Sequence, residues 1–181
     1  MRKTLLSFAA SAALLLAPAL SSAASYTFNG TVDDGPLTGQ AFAGSFEFDA
    51  SSVAPLFEGE LALTSFSMLL FGQNYTLASA DAPAFAAFFE GSFLGVSYVD
   101  ADAADRLLRP AVALIPGFVN LGDAYLGYDQ SGDPAAALAN FGSFSVAVVP
   151  EPAAVLLMLA GLGVVGGIAR RARCGGARTD R

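Results

Sequence analysis

The chain has 181 residues, a formal net charge of −7, no histidine, no tryptophan and a single cysteine. Without histidine the Ser-His-Asp and Cys-His catalytic sets cannot be built, and a zinc site would have to rely on carboxylates in place of its usual ligands. The one thiol, Cys174, has no partner with which to form an intrachain disulfide.

At the N-terminus, Met1-Arg2-Lys3 is followed by an apolar run from Leu5 to Leu20 and then by SSAAS. A charged start, a greasy middle and a small-residue stretch are the three parts of an export signal. Ser21-Ser22-Ala23 and Ser22-Ala23-Ala24 both suit the signal protease, so cleavage is expected after Ala23 or Ala24, and residues 1–24 are read as a signal peptide.

Residues 25–149 form one domain's length of chain, enough for a core of its own. This segment carries fourteen Asp and Glu against only Arg106 and Arg109, a net charge of −12, and has no Lys, His, Trp or Cys. Nucleic acid is excluded as a partner, because phosphate binding needs a basic surface. An anionic lipid surface would repel the domain.

Along this segment apolar residues alternate with polar ones, the pattern of half-buried strands. Tyr26, Phe28 and Val32 alternate with Thr27, Asn29 and Thr31, and Asp33-Asp34-Gly35-Pro36 makes the turn. Phe42, Phe46 and Phe48 alternate with Ala43, Ser45 and Glu47. Leu61 to Phe71 is apolar on both faces and suits a central strand, with Gly72-Gln73-Asn74 as a hairpin loop before Tyr75. Glu90-Gly91-Ser92 divides Phe85–Phe89 from Phe93–Val99. Tyr125–Tyr128 precedes a turn at Asp129 to Pro134, Ala135–Ala139 allows one helical turn, and Phe144, Val146 and Val148 close the series. Eight or nine short strands without a long helix predict an all-β antiparallel β-sandwich, with a barrel as the alternative.

Only carboxylate chemistry remains open to such a domain. Glu58, Glu60 and Glu90 are candidates for a glycosidase pair, but nothing distinguishes two of them among fourteen acids, and solvated strand edges and turns explain them. Asp100, Asp102 and Asp105 form D-x-D-x-x-D, oxygen ligands of the kind that suit calcium. The stretch lacks the EF-hand spacing, and Arg106 offsets its charge, so ordinary acidic loops are the stronger reading and no cofactor is expected, calcium being the alternative. Tyr98, Tyr125 and Tyr128 offer rings to a sugar or a partner, against packing in the sheet as the default. Asn29-Gly30-Thr31 and Asn74-Tyr75-Thr76 match the glycosylation sequon, a pattern short enough to arise by chance.

The tail has its own logic. Pro150-Glu151-Pro152 is followed by seventeen uncharged residues, 153–169, and then by Arg170, Arg171 and Arg173. As a helix those seventeen residues reach about 25 Å, the short end of what crosses a bilayer. Pro152 can open such a helix and Glu151 suits its positive end. The arginines hold their side in the cytoplasm, so the span is expected to be a single transmembrane helix with the domain outside, residues 175–181 within, and Cys174 a free thiol.

The ordered series of Pro150-Glu151-Pro152, a short Gly- and Leu-rich span and an arginine cluster closely resembles the PEP-CTERM sorting signal. The resemblance covers residues 149–173, and the sorting and anchor segment is taken as 150–174; the extension CGGARTDR runs beyond the point where such tails usually stop. It implies recognition by exosortase, a membrane-embedded transpeptidase-like enzyme. Pro150, Glu151 and Pro152 would be the recognised residues, and Arg170, Arg171 and Arg173 would set topology. It further implies transient anchoring in the inner membrane, removal of the tail, and passage to the cell surface or extracellular matrix. On this reading the chain is a secreted protein without catalytic activity, associated with exopolysaccharide or biofilm. A calcium- or carbohydrate-binding module is the alternative, and a carboxylate-dependent glycosidase the least favoured.

Overall fold

The computed structural model describes residues 23–101, 106–131, 133, 137–150 and 161. Nine strands follow in order: β1 Ala23–Val32, β2 Ala41–Asp49, β3 Gly59–Leu70, β4 Gln73–Thr76, β5 Phe85–Phe89, β6 Ser92–Asp100, β7 Ala111–Ile115, β8 Tyr125–Asp129 and β9 Asn140–Val148. All pairings are antiparallel. Ala23 and Ala24, inside the expected signal peptide, already pair with Asp49 and Phe48; the rest of that segment lies outside the described residues, as do the span 153–169 apart from Gly161 and residues 135 and 136 of the helical turn expected over Ala135–Ala139, whose described residues 137–139 are not helical. Among the described residues no helix is long and apolar enough to cross a membrane.

The expected sandwich is corrected to a closed barrel. β1 pairs with both β2 and β9, and β2 pairs in turn with β3, so eight strands join in one ring. A sandwich would leave two sheets with free edges, whereas closure removes them. β3 makes this possible by its length. One edge pairs with β2; the other is shared, with Gly59–Ala62 bonded to β5 and Ser67–Leu70 to β4. β4 is thus a flap beside the ring. Its outer edge is covered by the loop after β6, through Gln73 Nε2 donating to Leu108 O and Arg109 donating to Asn74 O.

Alternation places one face of each strand inside, and an eight-stranded barrel is just wide enough for side chains to fill it. Phe28, Phe42, Phe46, Phe48, Phe66 and Phe88 occupy the interior. Tyr26 stacks on Phe46 at 5.1 Å and on Phe48 at 5.4 Å, and Phe66 stacks on Tyr98 at 4.1 Å. Two of these rings lie where the facing strand has no side chain: Phe28 is opposite Gly44, and Phe42 opposite Gly30. A Cβ at Gly44 would run into the Phe28 ring and the Ser67 carbonyl, and one at Gly30 into the Phe42 ring and the Ser143 carbonyl.

Two hairpins are tighter than the sequence pattern suggests. Leu70 pairs with Gln73 across Phe71-Gly72, and Phe89 with Ser92 across Glu90-Gly91. Both central residues of each turn have positive φ, 51° and 71° in the first and 48° and 75° in the second, the two-residue geometry that matches strand twist.

Candidate functional site

The ring has two distinct ends. β1 begins, and β2 and β9 finish, at what is here the terminal end, together with the loops 50–58, 90–91 and 116–124. The opposite end carries the loop 33–40 and the described parts of the segments that follow β6 and β8, with the predicted metal ligand Asp100 at the end of β6.

Asp100 is 4% exposed at the end of β6. Its carboxylate accepts from the Arg109 guanidinium and from the Tyr98 hydroxyl, the latter at 3.3 Å. Arg109 also lies 4.3 Å above the centre of the Tyr75 ring. Burial works against the Arg109 charge, but the hydrogen bond and charge of Asp100 outweigh it and hold the guanidinium above its ordinary pKa. Burial, helped by the Asp100 charge and opposed by the Ser79 hydrogen bond, pushes the Tyr98 hydroxyl up to about 12. Burial likewise raises Tyr75, whose hydroxyl donates to Pro110 O at 2.8 Å. The cation that Asp100 meets is therefore one the chain supplies itself. Asp102 and Asp105 lie outside the described residues. Among the described residues no three of Asp, Glu, His or Cys gather closely enough to hold a metal ion.

Beside this cluster is one that sequence spacing did not suggest. Arg106 reaches Asp129, twenty-three residues on in the chain, at 3.1 Å and Ala101 O at 3.0 Å. Both side chains are buried. Burial pushes the Asp129 carboxyl up, but hydrogen bonds from Ser131 and Arg106 prevail and leave it below its ordinary value. Tyr98 and Tyr128 are buried rather than presented; Tyr128 accepts from Leu37 N at 3.0 Å and donates to Asp34 O at 2.7 Å, fastening the first loop over the barrel. Tyr125 is partly exposed on the outside. Glu58, Glu60 and Glu90 are exposed at the terminal end around β3 and β5. A shallow concavity crosses the outer faces of β1, β2 and β3, lined by Asn29, Thr31, Ala41, Ala43, Leu69 and Phe71.

The exit of the chain is at the terminal end. β9 runs beside β1 to Val148, and Val149 N donates to Ser25 O at 2.9 Å, so the backbone is held through Val149. Pro150 follows, exposed. Residues 148–173 match the family model of the PEP-CTERM protein-sorting motif. The chain carries a PEP-CTERM sorting motif. That motif implies export, processing by exosortase and sorting to the cell surface. It starts on the last residue of β9, so the barrel and its delivery signal meet without a linker. Glu151, Pro152 and the arginines Arg170, Arg171 and Arg173 fall within the match but outside the described residues. No curated protein and no solved structure matches the chain.

Proposed function

We propose that this PEP-CTERM protein is a non-catalytic component of the cell surface or extracellular matrix, associated with exopolysaccharide, whose tail is removed by exosortase near Pro150–Pro152. The observation that carries the reading is the sorting motif joined directly to a barrel whose interior is filled by aromatic rings. A filled barrel is a rigid body without an inner ligand cup, and its working surface is its outside. The acidic exterior favours solvation and bridging to anionic polysaccharide through divalent cations. The barrel itself is proposed to need no resident cofactor, which agrees with Asp100 being engaged by Arg109 and Tyr98.

The test is the intact mass of the protein recovered from the native envelope and medium, with and without the host exosortase. The expected product ends near Pro150–Pro152 only when exosortase is present. A product retaining 153–181 in both hosts would make the chain a permanently anchored ectodomain. Cosedimentation of the processed protein with the host's exopolysaccharide, dependent on millimolar calcium, is expected; equal recovery without polysaccharide would overturn the matrix role.

A further inference from the structure

The terminal end has an apolar rim. Phe118 and Val119, at the tip of the loop 116–124, are 90% and 66% exposed, and Leu56, in the loop 50–58, is 78% exposed. The backbone beneath them is well held. Gly117 N donates to Leu94 O at 2.8 Å, Asn120 Oδ1 accepts from Gly122 N at 2.7 Å, and Gly91 N donates to Phe57 O at 2.9 Å. These loops therefore keep large apolar side chains in water by construction, on the same end of the barrel from which the sorting segment leaves.

The distance available between that end and the bilayer is short. The chain is pinned through Val149, and the uncharged run begins at Ala153. Fully extended, the chain from Val149 to Ala153 covers at most about 14 Å. The headgroup layer on one side of a bilayer is itself about 5–8 Å thick. With the run inserted, the terminal end must face the membrane, and its projecting loops have little room to avoid the headgroups.

We infer that, before processing, the terminal rim of the barrel docks on the lipid bilayer, with Phe118, Val119 and Leu56 entering its interfacial layer. This rests on the reading of 153–169 as a membrane span. The docking is apolar in character, because Asp49, Glu58, Glu90 and Asp123 share this end and are repelled by anionic lipid. It fixes the height and orientation at which Pro150-Glu151-Pro152 is offered to a membrane-embedded protease, and it ends when the span is cut away.

The chain has no tryptophan, so single substitutions report cleanly. Three exported chains, Phe118→Trp, Leu56→Trp and Leu108→Trp, would be purified with the sorting segment from a host lacking exosortase and reconstituted into phosphatidylcholine vesicles with or without brominated acyl chains. Leu108, an exposed apolar residue at the opposite end of the barrel, is the control. Bromolipid is expected to quench the reporters at 118 and 56 about twofold or more, with blue-shifted emission, as for a ring at the membrane interface, and to leave the one at 108 unchanged. Vesicles rich in anionic phosphatidylglycerol are expected to weaken the quenching. If all three chains float with the vesicles but positions 118 and 56 are not quenched, or 108 is quenched equally, the rim does not dock and the span reading survives. If the chains fail to float, the span reading and the docking fall together.

Discussion

Tyr128 shows how much a single hydroxyl can close. It accepts from Leu37 N and donates to Asp34 O, more than ninety residues away in the chain. Tyr128→Phe leaves a buried amide without its acceptor, and is expected to lower stability by about 1–3 kcal/mol in urea unfolding; an unchanged midpoint would mean that water replaces the contact. Asp129 governs the acid side. Its folded pKa lies below the unfolded value, so the unfolded chain binds more protons in that window and stability rises with pH. The contribution is present above about pH 4, the unfolded carboxylate range, and is lost as pH falls through the folded pKa. Asp129→Asn is expected to flatten that part of a stability-against-pH curve. Tyr98 governs the alkaline side with the opposite sign. With its folded pKa raised to about 12, its contribution is intact below the unfolded value and disappears as pH rises through about 12. Tyr98→Phe is expected to remove the alkaline decline that belongs to this hydroxyl, read from thermal melts on either side of pH 10.

Among the elements, the β5–β6 hairpin and the β1–β2 pair carry the strictest local demands. Glu90 sits at φ 48° in a two-residue turn where Asn-Gly is favoured. Glu90→Asn is expected to raise the melting temperature slightly, corresponding to about 0.5–1 kcal/mol. Gly44 faces the Phe28 ring across the β1–β2 pair. Gly44→Ala is expected to cost about 1–3 kcal/mol, the range for overpacking a filled core, and the double variant Gly44→Ala/Phe28→Leu should recover part of it. No recovery would place the strain at the Ser67 carbonyl of the neighbouring strand instead. The element least visible beforehand is β7, Ala111–Ile115. Its alanines as well as Val112 and Leu114 are buried, so the alternation that reveals the other strands is absent. Leu69 in β3 and Phe71 in the turn after it show the converse, apolar residues that face outward into solvent.

For the molecule as a whole, closure joins residues far apart in the chain: Tyr26 pairs with Val148, and Phe46 with Phe66. The ring cannot complete until β9 is present, so folding of the isolated body, residues 23–149, is expected to be slow, in the millisecond-to-second range of all-β domains. Truncation before Asn140 would remove β9 and open the ring, and is expected to abolish the cooperative unfolding transition seen with 23–149. With Cys174 outside the body, reductant is expected to leave that transition unmoved.

Strand content, the hairpin positions, the strong acidity and the tail were legible locally, because alternation, turn residues, charge and an ordered Pro-Glu-Pro, apolar and arginine series are each written within a few residues. The export reading of the tail needed no fold at all. What local pattern cannot carry is the partner of an edge. Half-buried strands alternate in the same way in a sandwich and in a barrel, and only the pairing of β1 with β9 and of β2 with β3 separates the two. The same limit applies to charges. D-x-D-x-x-D reads as an oxygen-rich loop, but a strand end brings Arg109 back to Asp100, and Arg106 meets Asp129 at the far end of another strand. It applies also to placement: the sequence shows a sorting segment and, separately, apolar loop residues, and it is the antiparallel ring that puts Leu56, Phe118 and the exit at Val149 on one end. Contacts between segments distant in the chain are set by the packing of the whole, and this barrel's closure, its internal ion pairs and the end from which its chain leaves all depend on such contacts.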